Sequence, residues 1–349
     1  MNTRHDIAST AASGAARRPA IGVLMGDPSG IGPEITVRLL SRAESLQDAR
    51  IVLIGARSVL AAGEKIAGIQ LDPLFIESTA HLPDAPGRVC MLAIDDIDSS
   101  EIEIGKMTVA SGRFALAMLR AAAGEVAQGG LDGIVFAPLN KGAMRLAGLT
   151  HEDEMRLLAE LLGVKGFVCE FNVTHGLWTS RVTSHIPLSE VAAAIKGPVI
   201  QDAIAILDRN LRAAGVAAPR VAVAGLNPHA GDGGTMGREE IDIIGPAVEA
   251  MRASGVDARG PLPADTIFVA AKAGAFDGVV SMYHDQGQIA MKLMGFETGV
   301  TVLGGLPVPF TTCASGTAFD IAGRGIARIE GLAQALAINV SMASRARGR

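Results

Sequence analysis

Short apolar runs recur along the chain, each bounded by Gly, Pro or Asp. They are IGVLM (21–25), IVLIG (51–55), CMLAI (90–94), GIVFAP (133–138), VAVAGL (221–226), GVVSM (278–282) and VTVLGG (300–305). Unbroken apolar runs this short predict strands covered on both faces, as in a mostly parallel sheet. Stretches of helical period lie between them, over 109–127, 152–163, 188–213, 237–253 and 331–345. The alternation predicts an α/β fold, a three-layer α/β/α sandwich. One segment departs from it. FVCEFNVTHGLWTSRV (167–182) carries two strand-like runs around a His-Gly turn, which predicts an antiparallel excursion.

The 349 residues leave room for one large or two average domains. The clearest break is near 145–150, where NKGAMRLAGLTHEDEM leaves a strand for a polar turn. We therefore expect a first α/β domain over 20–147, completed by the returning segment 323–349, and a second over 148–322. Residues 1–19 are small, polar and dotted with Arg, with no apolar h-region. They read as a disordered extension rather than a signal peptide.

Composition adds little to this picture but removes several functions. Apolar residues make up 49% and aromatic ones 3%, with 42 glycines, which suits tight strand–helix turns. The net charge is −5 and the basic residues are scattered, so nothing points to nucleic acid. No apolar run is long enough to span a bilayer. Cys90, Cys169 and Cys313 are odd in number and far apart, so neither a disulfide framework nor a CxxC zinc site is expected. Reduced thiols in a cytoplasmic protein are the better reading.

MYHDQGQIAMKLMGF (282–296) gathers Tyr283, His284, Asp285, Gln286 and Lys292 beside glycines, chemistry that a plain core element does not need. His151, His185, His229 and His284 all follow strand-like runs, and loops at strand C-termini are where α/β folds place ligands. His185, His229 and His284 come from separate strand ends. Three imidazoles and an open position make a catalytic divalent-metal site; three unrelated loop histidines are the bland alternative. His5, His81 and His175 read as tail, loop and turn residues.

Three glycine-rich segments accompany them. MGDPSGIGPEI (25–35) is neither a Walker A loop nor GxGxxG; it either offers backbone N–H groups to a ligand or is a tight strand–helix turn. LNPHAGDGGTMGREE (226–240) leads into a helix near Arg238, and ASGTAFDIAGRGIA (314–327) is the third. Asp265 reads as a base or outer partner beside a metal, or as a helix N-cap.

Taken together, MGDPSGIGPE, NKGAM, TSHIPL, GLNPHAGDGG, GPLPADTIF, YHDQGQIAMKLMGF and SGTAFDIAGRG resemble, in order, the motifs of the 4-hydroxythreonine-4-phosphate dehydrogenase (PdxA) family, over roughly residues 20 to 345. The resemblance implies a fold similar to isocitrate and isopropylmalate dehydrogenases, with a cleft between two α/β domains. It also implies a homodimer with the metal site shared between partners at an interface on the second domain. By motif match, His185, His229 and His284 would be the metal ligands, and Lys292 and His151 would bind substrate. Asp265 and Asp285, with Lys292, would stand near the reacting centre. NAD or NADP is expected along 304–325, on Gly304, Gly305, Gly316, Thr317 and Asp320. The reaction implied is oxidation of a metal-chelated secondary alcohol, with decarboxylation of the β-keto acid formed. The sequence leaves the metal open among Zn, Co, Ni, Mn and Mg.

The chain departs from the family in three places. Thr150-His151-Glu152-Asp153 stands where family members using a phosphorylated substrate read Gly-His-Thr-Glu. Thr301 replaces an asparagine, and Phe310 an arginine. A carboxylate facing a phosphate at ~4 Å costs about 4 kcal/mol at an effective dielectric of ~20. If Glu152, Thr301 and Phe310 face the substrate, they favour a carboxylated cis-dihydrodiol, as in the family's terephthalate branch, over 4-phosphohydroxy-L-threonine. A non-redox phosphate- or acyl-transferring enzyme with the same cleft is the competing class.

Overall fold

The computed structural model describes residues 17–83, 85–94, 99–295 and 298–347. Most of the expected disordered extension, 1–16, lies outside these. Residues 17–19 are anchored rather than loose: Arg50 Nε donates to the Arg18 carbonyl, and Arg50 N to that of Pro19.

The strands are β1 (Ala20–Leu24), β2 (Arg50–Gly55), β3 (Leu74–Ile76), β4 (Val89–Ala93), β5 (Gly133–Phe136), β6 (Cys169–Thr174), β7 (Leu177–Arg181), β8 (Arg220–Ala224), β9 (Asp257–Leu262), β10 (Gly278–Ser281), β11 (Val300–Gly304) and β12 (Phe310–Cys313). They form one sheet in the order β3-β4-β2-β1-β5-β12-β11-β6-β7-β10-β8-β9. The helices are α1 (Gly32–Leu40), α2 (Arg57–Ala67), α3 (Val109–Ala127), α4 (Lys141–Leu146), α5 (Glu154–Leu161), α6 (Leu188–Ala194), α7 (Gly197–Ala213), α8 (Gly245–Ala253), α9 (Ala264–Lys272), α10 (His284–Gly295) and α11 (Glu330–Arg347).

Every residue of β1, β2, β5 and β10 is buried, so both faces of the sheet are covered and the sandwich has the three layers expected. The apolar runs became strands to within a residue or two. The missed strands lack that signature. β3 is a short edge strand with exposed Leu74 and Phe75, β9 (DARGPL) holds charges, Gly and Pro, and β12 (FTTC) is half threonine. The helical stretch 188–213 is broken at Gly197-Pro198, which opens α7. The antiparallel excursion is present as the β6–β7 hairpin. His175 (φ 48°) and Gly176 (φ 81°) give its two-residue turn the left-handed backbone that such turns require.

β12 joins the two expected halves. It runs parallel to β5 and antiparallel to β11. Buried Asn339 on α11 fastens the junction, donating to the carbonyls of Ile134 and Pro309.

Candidate active site at the ends of adjacent parallel strands

β7, β10 and β8 are neighbours and parallel, so their C-terminal ends open on one rim of the sheet. His185 follows β7, His284 follows β10, and His229 follows β8. The loop to His185 is tied to the loop to His284. Val182 N donates to Ser281 O, and Thr183 donates through both N and Oγ1 to Met282 O. Buried Arg181 braces the same loop, its Nε donating to Ser184 Oγ and its Nη2 to Glu170 Oε2 at 2.7 Å. Gln286 links the next strand: Met282 N donates to its Oε1 and its Nε2 donates to Gly225 O, beyond β8.

The result is a pair of imidazoles, His185 and His284, with ring centroids 5.6 Å apart. Each has a carboxylate on Nδ1: Glu152 Oε1 at 2.8 Å from His185, and Asp285 Oδ1 at 2.7 Å from His284. An ionised carboxylate only accepts, so each Nδ1 carries the proton and each neutral ring keeps its lone pair on Nε2. Neither Nε2 has a hydrogen-bond partner among the described residues. Two imidazoles so prepared fit part of a divalent-metal site.

His229 does not complete it within the chain. Among the described residues no three His, Cys, Asp or Glu side chains are grouped to hold a metal ion. His229, Ala230, Gly231, Asp232 and Gly233 run consecutively through positive φ (43° to 83°), a turn that fixes where His229 stands. Buried Glu240 pins the loop ahead of it, accepting from Leu226 N, Asn227 N and Asn227 Nδ2.

Beside His284 a cleft of about 220 Å³ is lined by Asn172, Gln288, Lys292 and Thr301. His284, Gln288 and Lys292 are spaced i, i+4, i+8 along α10, so one helix face supplies all three. On the other side, a pocket of about 130 Å³ is lined by Glu152, Arg156, Arg181, Ser184 and His185. His151 is turned aside, its Nε2 2.8 Å from Glu160 Oε2. Asp265 is exposed in the first turn of α9. It is not the N-cap, which is Pro263.

One assignment made from the sequence is corrected. Phe310 is fully buried in the core, so it offers no surface to a substrate. Glu152 is hydrogen-bonded to His185 and, half exposed, also lines the pocket beside it. The glycines expected to hold the dinucleotide divide. A Cβ at Gly304 would strike Phe171 at 2.2 Å, and one at Gly305 the Phe167 carbonyl at 2.5 Å, so close packing alone accounts for both. Gly316 is exposed, with nothing within 4 Å of an added Cβ, and Asp320 is exposed. Thr317 lies on the 25–35 turn, where Ile31 N donates to its carbonyl and a Cβ at Gly30 would meet its oxygen at 2.7 Å. Buried Asp27 lies in that turn. Burial pushes its carboxyl up to about 6, against the opposing pull of the Ser29 N–H. Glu34 Oε1 accepts from Ala327 N, closing the chain back onto α1.

The family described as pyridoxal phosphate biosynthetic protein PdxA matches residues 47–339. The chain belongs to the PdxA family. A relative in Rhizobium meliloti (strain 1021) is 46% identical over 332 residues, 95% of either chain. The 4-hydroxythreonine-4-phosphate dehydrogenase of Chromobacterium violaceum is 39% identical over 95% of this chain and 98% of its own. Among solved PdxA-family structures, the Klebsiella pneumoniae enzyme of that name superposes with a TM-score of 0.80 at 37% identity, over 95% of this chain and 99% of its own. A terephthalate 1,2-cis-dihydrodiol dehydrogenase from Burkholderia xenovorans LB400 gives 0.65 at 27%, over 90% and 96%. The expectation of an oxidoreductase of the dehydrogenase class agrees with these names. No helix among the described residues is long and apolar enough to cross a membrane.

Proposed function

We propose that the chain is a divalent-metal-dependent NAD(P) dehydrogenase that oxidises a secondary alcohol of a small anionic substrate. The observation that carries this is the His185–His284 pair, with a carboxylate on each Nδ1 and Lys292 lining the adjoining cleft. When bound, the metal would supply Lewis acidity to a substrate hydroxyl and the dinucleotide a hydride acceptor, giving a β-keto acid that loses CO₂. The chain's own groups do the rest. His185 and His284 present Nε2. Gln286 holds the loop of His284 in register with β8. Lys292 holds an anionic group of the substrate, and an aspartate or a water moves the proton.

Of the two substrate classes, we favour a phosphorylated hydroxy acid such as 4-phosphohydroxy-L-threonine. The case for a carbocyclic diol leaned on Glu152, Thr301 and Phe310; Phe310 lies in the core and Glu152 is hydrogen-bonded to His185, which leaves only Thr301 along the cleft. The relatives named for the phosphorylated substrate are also the more similar ones.

The third ligand, His229, would come from a second copy of the chain. One feature supports a homodimer with a shared site. α10, which carries His284, exposes Ile289 (61%) and Leu293 (83%) at i, i+4 spacing. The positions proposed for the dinucleotide are Gly316, Thr317 and Asp320 beside the 25–35 turn. A division into lobes over 20–147 with 323–349 and over 148–322 would put the cleft where β12 joins them.

The test is NADH or NADPH formation followed by absorbance, with added divalent metal, on 4-phosphohydroxy-L-threonine and on a terephthalate-type cis-dihydrodiol. A rate on the phosphate that a chelator abolishes is the expected result. A rate on the diol alone would move the chain to the other branch. Turnover unaffected by chelator would sink the metal reading.

A further inference from the structure

Glu152 stands where the sequence departs from the family, and its surroundings assign it a role that the departure alone does not suggest. Its backbone is held on both sides. Arg145 Nη2 donates to the Glu152 carbonyl at 3.1 Å, and the next residue, Asp153, caps α5 by accepting from Arg156 N at 2.9 Å. The loop bearing His185 is equally constrained, by Met282 on one side and by Arg181 through Ser184 on the other. What those bonds leave undetermined is the rotation of the His185 ring and the nitrogen that carries its proton. Glu152 Oε1, 2.8 Å from Nδ1, supplies both. Asp285 does the same for His284, but from the adjacent position in the chain. Glu152 reaches His185 across 33 residues.

We propose that Glu152 is a positioning residue for metal binding: its carboxylate fixes His185 in the Nδ1–H tautomer and orients Nε2 as a ligand. This rests on the metal-site reading above. It goes beyond that reading in making the departure at 152 part of the metal site rather than a determinant of substrate charge. A carboxylate behind a ligating imidazole raises its basicity and holds its ring, and removing such a partner typically weakens metal binding about 10- to 100-fold. A Glu152 facing the substrate would behave differently. Its neutralisation would lower KM for an anionic substrate and leave metal affinity unchanged.

The test compares the full-length wild type with Glu152→Ala and Glu152→Gln. Apoprotein is titrated with Co²⁺ in competition with a chromophoric chelator, the visible cobalt spectrum is recorded, and circular dichroism checks the fold. Glu152 is half exposed, so both variants are expected to fold. The expected result is a Kd raised about 10- to 100-fold in Glu152→Ala, with an altered cobalt spectrum. A smaller rise is expected in Glu152→Gln, whose amide oxygen still accepts from Nδ1–H without the charge. An unchanged Kd and spectrum in Glu152→Ala would overturn the assignment while leaving the metal site standing. A wild type that takes up no Co²⁺ would overturn the metal reading itself, and this assignment with it.

Discussion

Arg181 and Ser281 are register partners on the adjacent parallel strands β7 and β10. Four residues after one and three after the other come His185 and His284. Two strands that end level, followed by loops of nearly equal length, deliver their side chains to the same place. The 5.6 Å between the rings is the consequence. If the pair binds metal, His185→Ala and His284→Ala should each abolish stoichiometric metal uptake. Each should lower kcat/KM by more than the about 10- to 100-fold typical of losing an outer partner. Metal analysis alongside steady-state kinetics checks this; full metal occupancy in either variant would contradict it.

Gln286 bridges the ends of β10 and β8 through two hydrogen bonds. Gln286→Ala leaves the Met282 N–H and the Gly225 carbonyl without that partner. We expect a loss of about 1–3 kcal/mol in unfolding free energy, together with a fall in kcat from the displaced His284 loop. Urea denaturation and kinetics on the same preparation measure both. Unchanged stability would mean that water replaces the bridge without cost.

Lys292 lines the cleft beside His284 and Thr301. A hydrogen bond to a charged group contributes about 1.5–3 kcal/mol, and 1.4 kcal/mol is tenfold. Lys292→Met should therefore raise KM for 4-phosphohydroxy-L-threonine roughly 10- to 100-fold. Thermal stability should stay near that of the wild type, because Lys292 is exposed. A KM within twofold of the wild type would remove the lysine from the anion site.

Asp27 makes stability depend on pH in a direction opposite to that of a paired carboxylate. Its carboxyl keeps its proton up to about 6 in the folded chain, against 3.8 for an ordinary aspartate. Between those values the folded state binds more protons than the unfolded state, so stability falls as pH rises through the window. One pKa unit corresponds to about 1.4 kcal/mol, so the loss attributable to Asp27 is at most about 3 kcal/mol. Denaturation midpoints from pH 4 to 7 should show this slope in the wild type and a flatter one in Asp27→Asn. Parallel slopes would show that another group is responsible.

Phe310 separates packing from recognition. It is fully buried, on a strand between β5 and β11. Phe310→Ala should cost about 3–5 kcal/mol of stability by leaving a cavity, whereas Phe310→Leu should cost less and leave KM unchanged. A KM shift in a stable Phe310→Leu variant would restore a substrate role to this position.

The sequence by itself determined what depends on near neighbours in the chain. Runs such as IVLIG and VAVAGL could only be strands covered on both faces, because nothing in them is polar enough to face water. His175-Gly176 had to be a turn, since its flanking runs are extended and its glycine allows a left-handed backbone. The apolar runs that precede them likewise placed His185, His229 and His284 beyond strand ends. Tertiary structure alone decided which strand ends are neighbours. β7, β10 and β8 lie side by side although they are far apart in the chain, and pairing across a sheet leaves no local trace in any one of them. It also decided that Glu152 turns to His185, across 33 residues, and that Phe310, in a strand half threonine, lies wholly inside. A side chain's partner and its burial are set by what the rest of the chain packs against it, and no window of sequence around Glu152 or Phe310 contains that information.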